Sequence, residues 1–190
     1  MQKSLIVAMA LCTHIFGGGE IEPLPTSHHT ESDFYMVTKA LHIPGKEINH
    51  GHAILEGNRG YGFGIDIGYR LGHGFAIEYD FSYAKNTITQ HTHEHPAKEG
   101  DGTYLTSTID IVYVYELTHT LGLFAKIGYE YEREEVEALG IDNSDYGTVY
   151  GLGAEIAINH DYKFLLEYEH SSIESPRGDS YFMGLMYNFN

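Results

Sequence analysis

From residue 34 onward, apolar side chains alternate with small or charged ones at every second position, in segment after segment. Residues 61–70 show the alternation most clearly: one phase is aromatic or aliphatic, and the other is filled by glycines, Asp66 and Arg70. A period of two indicates β-strands with one apolar face and one polar face. The chain is therefore predicted to be all-β.

Six further segments repeat the pattern, namely residues 75–82, 105–117, 123–131, 150–158, 162–169 and 181–189. Residues 34–43 are an eighth candidate, whose faces are ambiguous because Lys39 shares a phase with Tyr35, Val37 and Leu41. Short turns (71–74, 118–120, 159–161) alternate with longer polar links (44–60, 85–102, 132–145, 172–178). This arrangement predicts an eight-stranded antiparallel transmembrane β-barrel with short periplasmic turns and four longer extracellular loops.

A soluble eight-stranded barrel of the lipocalin type is the main alternative, since it shows the same period of two. Such a barrel holds its apolar face inside around a ligand. Here the second face consists of Gly, Ala, Ser, Asp, Glu and Lys, which suits a narrow polar interior. Tyrosines such as Tyr61 and Tyr69 also lie at both ends of the apolar stripes, as in an aromatic girdle. These features favour the membrane barrel.

Three stretches, residues 60–70, 126–131 and 181–189, resemble the small outer-membrane β-barrel superfamily that includes the OmpA transmembrane domain and OmpX. The resemblance implies a location in the outer membrane of a Gram-negative bacterium, with lipid and lipopolysaccharide as neighbours. It also implies insertion by the barrel-assembly machinery, for which Tyr187 and Phe189 form the C-terminal signal. One departure is that Asn190 follows Phe189, so the aromatic residue is penultimate.

The first nineteen residues have the pattern of a secretory signal peptide: Lys3 supplies a positive start, an apolar stretch follows, and glycines come next. Residues 20–33 form a flexible lead-in and residues 34–190 form the outer-membrane barrel domain. A lipoprotein signal around Cys12 is disfavoured, because Leu11 stands where that signal needs a small residue.

Composition excludes two classes of protein. The formal net charge is -16 over 190 residues, which argues against a nucleic-acid partner held by its phosphates. The mean hydropathy is -0.27 and no apolar run approaches twenty residues, so a helical membrane span is excluded as well.

The polar phase of the strands places charged side chains in the lumen: Asp66, Glu78, Asp80, Asp110, Lys126, Glu155, Lys163 and Glu167. Glu116, Glu130 and Glu169 lie near strand ends and are expected at a solvated rim. Buried carboxylates need counter-charges or water, so Arg70, Lys126 and Lys163 are expected to bridge them. The same need favours an inward Lys39. The favoured interpretation is that these ion pairs plug the lumen, and the alternative is a small cation-preferring pore.

The sequence contains thirteen histidines, five of them in two long loops at positions 50, 52, 91, 93 and 95. Alternate histidines can share a divalent ion, so His91, His93 and His95, assisted by Glu94, are weak metal candidates. Without a fixed fourth ligand they are interpreted as solvated loop residues, and no cofactor is expected. The acidic residues of 132–145 could hold divalent cations that bridge to lipopolysaccharide.

One pair resembles an enzyme site. His170 and Ser172 share a face directly after residues 162–169, similar to the His-x-Ser pair of outer-membrane lipid A deacylases of the PagL type. Ile173 stands where that family has Asn, which disfavours a hydrolase. The sequence therefore predicts a non-enzymatic outer-membrane barrel with a structural or surface-interaction role and a polar, largely plugged interior.

Overall fold

The computed structural model describes residues 33–51, 53–92 and 96–189. The predicted signal peptide (1–19), nearly all of the lead-in, and His93 and His95 lie outside these residues. Within the described chain, no helix is long and apolar enough to cross a membrane.

Ten β-strands account for most of the described chain. Their bounds are β1 Phe34–Ile43, β2 Glu47–His50, β3 Ala53–Gly57, β4 Gly60–Gly72, β5 Phe75–Thr92, β6 Lys98–Glu116, β7 Leu121–Val136, β8 Ile141–Ala157, β9 Tyr162–Ser171 and β10 Ser180–Asn188. A single 3-10 turn, Glu137–Leu139, joins β7 to β8.

Eight of these strands close into an antiparallel barrel. β1 pairs with β4 on one side and with β10 on the other, and the ring runs β1, β4, β5, β6, β7, β8, β9, β10. The predicted eight-stranded barrel is confirmed, and the ambiguous eighth segment is β1. Its buried phase carries Tyr35, Val37, Lys39 and Leu41, so in this strand the larger apolar side chains face inward.

Three of the expected long loops are largely strand. β5 and β6 stay paired from Phe75 to Gln90, well into residues 85–102, and β7 and β8 stay paired up to Val136 and Ile141. The remaining strands, β2 and β3, form a hairpin within residues 44–60. Through β3 this hairpin pairs with the part of β5 that continues beyond the eight-stranded barrel. The β-branched run Thr87-Ile88-Thr89 carries the alternation onward, which explains the extension physically.

A short turn at the opposite end illustrates how the hairpins close. His73 and Gly74 join β4 to β5 with φ values of 56° and 82°. Positive φ at both central residues is what a type I′ hairpin turn requires, and it matches the twist of the flanking strands.

The outward face forms an apolar belt between two aromatic rows. Ile67 and Leu152 are 55% and 61% exposed, values that exclude a soluble barrel with its apolar face inside. The row at the short-turn end includes the contacting rings of Phe34 and Tyr69, Phe75 and Tyr113, and Tyr162 and Tyr187. The row at the other end includes Tyr61, Tyr131, Tyr146, Tyr168 and Tyr181.

The middle layer of the interior is charged, and an apolar cluster lies on either side of it. At the short-turn end an apolar cluster fills the lumen, formed by Tyr35, Val37, Ala76, Val112, Phe124, Leu165 and Met186. A second apolar cluster lies at the long-loop end, formed by Leu41, Ile43, Leu55, Ala84, Ile88, Tyr104, Val136, Ile141 and Phe182. The sequence predicted a polar interior, and the structure adds two apolar clusters to it.

The two faces of β4 give a direct test of the barrel. Ile67→Asp places a carboxylate in the apolar belt and should weaken folding into lipid vesicles by on the order of 2 kcal/mol. Asp66→Asn keeps the shape of an inward side chain and should be tolerated. Heat-modifiable gel mobility after refolding measures both, and the opposite order of the two effects would contradict the assignment of faces.

Candidate functional site

The middle layer of the lumen is organised by two buried lysines. Lys39 Nζ contacts Asp80 and lies 3.7 Å from Glu167 Oε2. Lys126 Nζ contacts Glu167 and lies 3.9 Å from Asp80 Oδ2. These four groups, here called the ion-pair ring, form a closed circuit in which bases and acids alternate.

The ion-pair ring spans the barrel in both directions. Its members Lys39, Asp80, Lys126 and Glu167 come from β1, β5, β7 and β9, which are every second strand of the eight. In that order β1 lies opposite β7, and β5 lies opposite β9. The ring therefore joins walls that share no backbone hydrogen bonds.

Glycines beside the lysines make room for these long side chains. Lys39 is flanked by Gly64 on β4 and Gly184 on β10, and Lys126 is paired with Gly151 on β8. A Cβ atom on Gly151 would lie 2.5 Å from Lys126 Cγ. The small residues of the polar phase thus accommodate the buried charges.

The remaining predicted lumen acids surround this ring. Asp66 Oδ1 lies 2.9 Å from Lys39 Nζ, and Glu78 accepts a 2.6 Å hydrogen bond from the Tyr35 hydroxyl. Asp110 is fully buried, and within the described chain its carboxylate oxygens have no hydrogen-bond partner. Glu155 and Lys163 pair at 2.5 Å nearer the short-turn end.

The link between β9 and β10, residues 172–179, folds into the barrel and is called here the mouth loop. Ile173, Ser175, Pro176 and Arg177 of this loop are all buried. The Arg177 guanidinium donates to Glu130 at 3.0 Å and lies 2.9 Å from Glu132. The loop expected to extend from the surface is instead folded against the inner wall of the barrel.

Two predictions about the rim are wrong. Glu130 and Glu169 were expected to be solvated, but they are 1% and 4% exposed. Glu130 is covered because Arg177 lies on it, and Glu169 lies 3.6 Å from Lys126. Glu116 is exposed, in agreement with its predicted place at the rim.

Arg70 was expected to bridge lumen carboxylates and has a different role. Its guanidinium donates to Asn188 Oδ1 at 2.5 Å and lies over the Tyr35 ring, 4.6 Å from the centroid. It contacts a neutral amide and an aromatic ring near the short-turn end.

Sequence reasoning missed Arg177 because the mouth loop was interpreted as a solvated connection. A signal was available in β7, where Glu130, Glu132 and Glu134 continue the inward phase past the apolar belt. An inward row of three carboxylates needs a cation. Arg177 is the basic residue in the link between β9 and β10.

His170 lies at the end of β9 and Ser172 begins the mouth loop, and each has another hydrogen-bond partner. His170 Nδ1 donates to Asp179 at 2.8 Å, while Ser172 Oγ accepts from the Thr148 backbone N–H at 2.8 Å. Burial raises the pKa of Asp179, but hydrogen bonds from Tyr168 and His170 outweigh it and leave that pKa lowered. The arrangement pairs the histidine with an acid, and the serine is held by a neighbouring strand.

The metal candidates are only partly described. His91 lies on the extended part of β5, is exposed, and has its Nε2 atom 3.4 Å from Glu56 on β3. Across the described chain, no three His, Cys, Asp or Glu side chains are arranged to hold a metal ion.

The predicted assembly signal lies at the short-turn end of the barrel. Tyr187 and Phe189 pack edge to face with their centroids 5.1 Å apart, and Tyr187 also contacts Tyr162. The two aromatic rings therefore belong to the aromatic row at that end.

Comparison with known proteins identifies the family. A family model described as the outer membrane protein beta-barrel domain matches residues 24–189. The chain belongs to this family. No curated protein sequence matches it significantly.

Solved structures with the same fold include other outer-membrane barrels. OprG from Pseudomonas aeruginosa has a TM-score of 0.69 and 10% identity, covering 84% of this chain and 97% of OprG. Neisserial surface protein A has a TM-score of 0.61 and 17% identity, with coverage of 85% and 100%. Ail from Yersinia pestis, in complex with a heparin analogue, has a TM-score of 0.53 and 14% identity, with coverage of 83% and 99%. These likenesses show a shared fold.

The ion-pair ring should be a major source of stability in this outer-membrane barrel. Lys126→Met leaves Glu169 buried without its cation and Glu167 with only the more distant Lys39, and it should cost about 3–5 kcal/mol. Lys163→Met is the matched control, since its side chain is 23% exposed and the loss should be smaller. Adding Glu167→Gln to Lys126→Met should restore part of the loss.

Urea unfolding of the barrel in lipid vesicles, followed by heat-modifiable gel mobility, measures these differences. Equal stability of the Lys126→Met and Lys163→Met variants would show that the ring contributes nothing beyond a peripheral ion pair.

Proposed function

We propose that this protein is a non-enzymatic outer-membrane barrel with a closed interior, which acts structurally or through its exposed end. The observation that carries the proposal is the layering of buried side chains in the lumen. The ion-pair ring lies between two apolar clusters, and the mouth loop covers the long-loop end through Arg177. Eight strands enclose a space narrow enough for side chains to fill, which supports a closed interior.

The proposed route to the membrane follows from the sequence and from the family. The signal peptide in residues 1–19 directs export, and the barrel-assembly machinery recognises the C-terminal aromatic residues Tyr187 and Phe189. The apolar belt and its aromatic rows support contacts with outer-membrane lipid and lipopolysaccharide. Divalent cations at exposed acids such as Asp142 are proposed to bridge to lipopolysaccharide.

The proposal of a closed barrel is tested by conductance. The purified protein in a planar lipid bilayer should give no steady ion current, because the apolar clusters on either side of the ion-pair ring disfavour water and ions. Current steps that disappear when the protein is purified further would come from contaminants. A known porin serves as the positive control. Reproducible cation-selective steps would overturn the closed barrel and support the pore, for which the lumen's excess of carboxylates is the supporting observation.

The lipid A deacylase alternative is tested by mass spectrometry. Cells that express the protein should yield lipid A of unchanged mass, because Ser172 Oγ is engaged by Thr148 on the adjacent strand. His170→Ala and Ser172→Ala should give the same spectra as the parent. Loss of an acyl chain with the parent alone would establish hydrolysis and contradict the non-enzymatic proposal.

A further inference from the structure

A cavity of about 370 Å³ opens at the long-loop end, between β7, β8 and the mouth loop. Four of its lining residues are carboxylates, namely Glu132, Glu134, Asp145 and Glu174, and it is called here the acidic cavity. None of the described residues that line it is basic. The cavity therefore concentrates negative charge within a partly enclosed space.

The acidic cavity lies beyond the membrane. The outward apolar face of β7 ends at Tyr131, whose ring contacts Tyr146 in the aromatic row. The next outward residues, Arg133 and Glu135, are charged and exposed. Glu134 is thus on the part of β7 that extends past the lipid.

The charge of the cavity is only partly compensated from behind. Arg177 divides its guanidinium between Glu130 and Glu132. Glu134, Asp145 and Glu174 have no ion pair to any described lysine or arginine. A cation from solution is the missing complement to these three carboxylates.

Glu134 gives independent support for a ligand. Its side chain is buried, with the residue only 7% exposed, and within the described chain its Oε1 atom has no hydrogen-bond partner. It faces Asn143 and Tyr104 across the neighbouring strands and lines the cavity. A buried carboxylate without a partner is unfavourable, and a donor in the cavity would remove that penalty.

The shape and the walls indicate what kind of cation fits. The volume is about ten times the space that one water molecule takes in the liquid, roughly 30 Å³. The cavity holds no group of three metal-ligating side chains among the described residues, and the apolar Ile173 forms part of its wall. A chain of methylene groups ending in ammonium groups matches this combination better than a bare metal ion does.

We propose that the acidic cavity binds a small organic cation of the alkylammonium class, such as a polyamine, with Glu134 accepting the hydrogen bonds of an ammonium group. The methylene segment packs against Ile173, and Asp145 and Glu174 attract the second charge. This site deepens the surface role proposed above but does not require a closed lumen, so binding and conductance can fail independently.

Calorimetric titration of the full-length protein in detergent with spermidine tests the proposal. Saturable binding to one site is expected. Glu134→Gln removes the buried acceptor charge and should weaken binding about tenfold. Glu135→Gln is the matched control: it removes the same charge from the next residue, whose side chain is exposed on the outer face, and affinity should be unchanged.

Several outcomes would overturn the proposal. Equal weakening by the two glutamine variants would show a diffuse attraction to the acidic surface, and so would binding that does not saturate. Mg²⁺ that binds the cavity as tightly as spermidine, and is lost in Glu134→Gln, would assign the site to a metal. Asp145→Asn alters an exposed member of the cavity and should also weaken binding, so the test stands even where Glu134→Gln folds poorly.

The pH dependence supplies a second readout. Burial raises the pKa of Glu134 to about 7, and the charge of Glu132 adds to the rise. Spermidine should bind more tightly as pH increases from about 6 to 8, because Glu134 loses its proton over that range. The other charged or titratable groups around it are Glu132, Asp145, Glu174, Tyr104 and Arg177. Glu134→Gln should flatten this profile, and an unchanged profile would contradict the assignment.

Discussion

The interior of this barrel depends on two ammonium groups held away from water. Lys39 and Lys126 each contact carboxylates from several strands, and Asp80 and Glu167 are shared between them. Burying charges is unfavourable unless they are paired closely. The glycines beside the lysines, the alternating order of charges and the apolar clusters on either side are all arranged so that this condition is met.

The same constraint links the two faces of every strand. A strand that slipped by one residue would move Asp66 or Asp80 into the apolar belt and would move Ile67 or Tyr79 into the lumen. Both changes are unfavourable, one through a charge in hydrocarbon and the other through a bulky side chain in a filled space. The ion pairs therefore help to specify which residues of neighbouring strands lie opposite each other, in addition to stabilising the closed barrel.

The sequence allowed the ring of eight strands and the direction of most charged side chains to be predicted, because a period of two determines which residues share a face. It did not reveal how the chain behaves beyond the belt. The β2–β3 hairpin and the extended pairing of β5 to β8 lie in polar segments, where alternation is weaker and loop composition resembles strand composition.

The inward fold of the mouth loop was the main feature that the sequence did not predict. Whether a short polar link bends inward depends on contacts made far away in sequence, here between Arg177 and two residues of β7 more than forty positions earlier. No local pattern encodes such a contact. The acidic cavity was missed for the same reason, since one of its walls is this loop and the other is a strand extension that was expected to be a loop.

The extended strands have a consequence for the part of the molecule that meets the outside. From Tyr83, whose ring contacts Phe63 on the outer face, to the end of β5 at Thr92 the backbone continues as paired strand. At about 3.3 Å per residue, nine residues reach roughly 30 Å along the strand. The exposed end is therefore a rim of hydrogen-bonded strands that extends beyond the apolar belt. A partner that docks on these rigid strands immobilises little additional chain. Binding there therefore costs less conformational entropy than binding to a flexible loop.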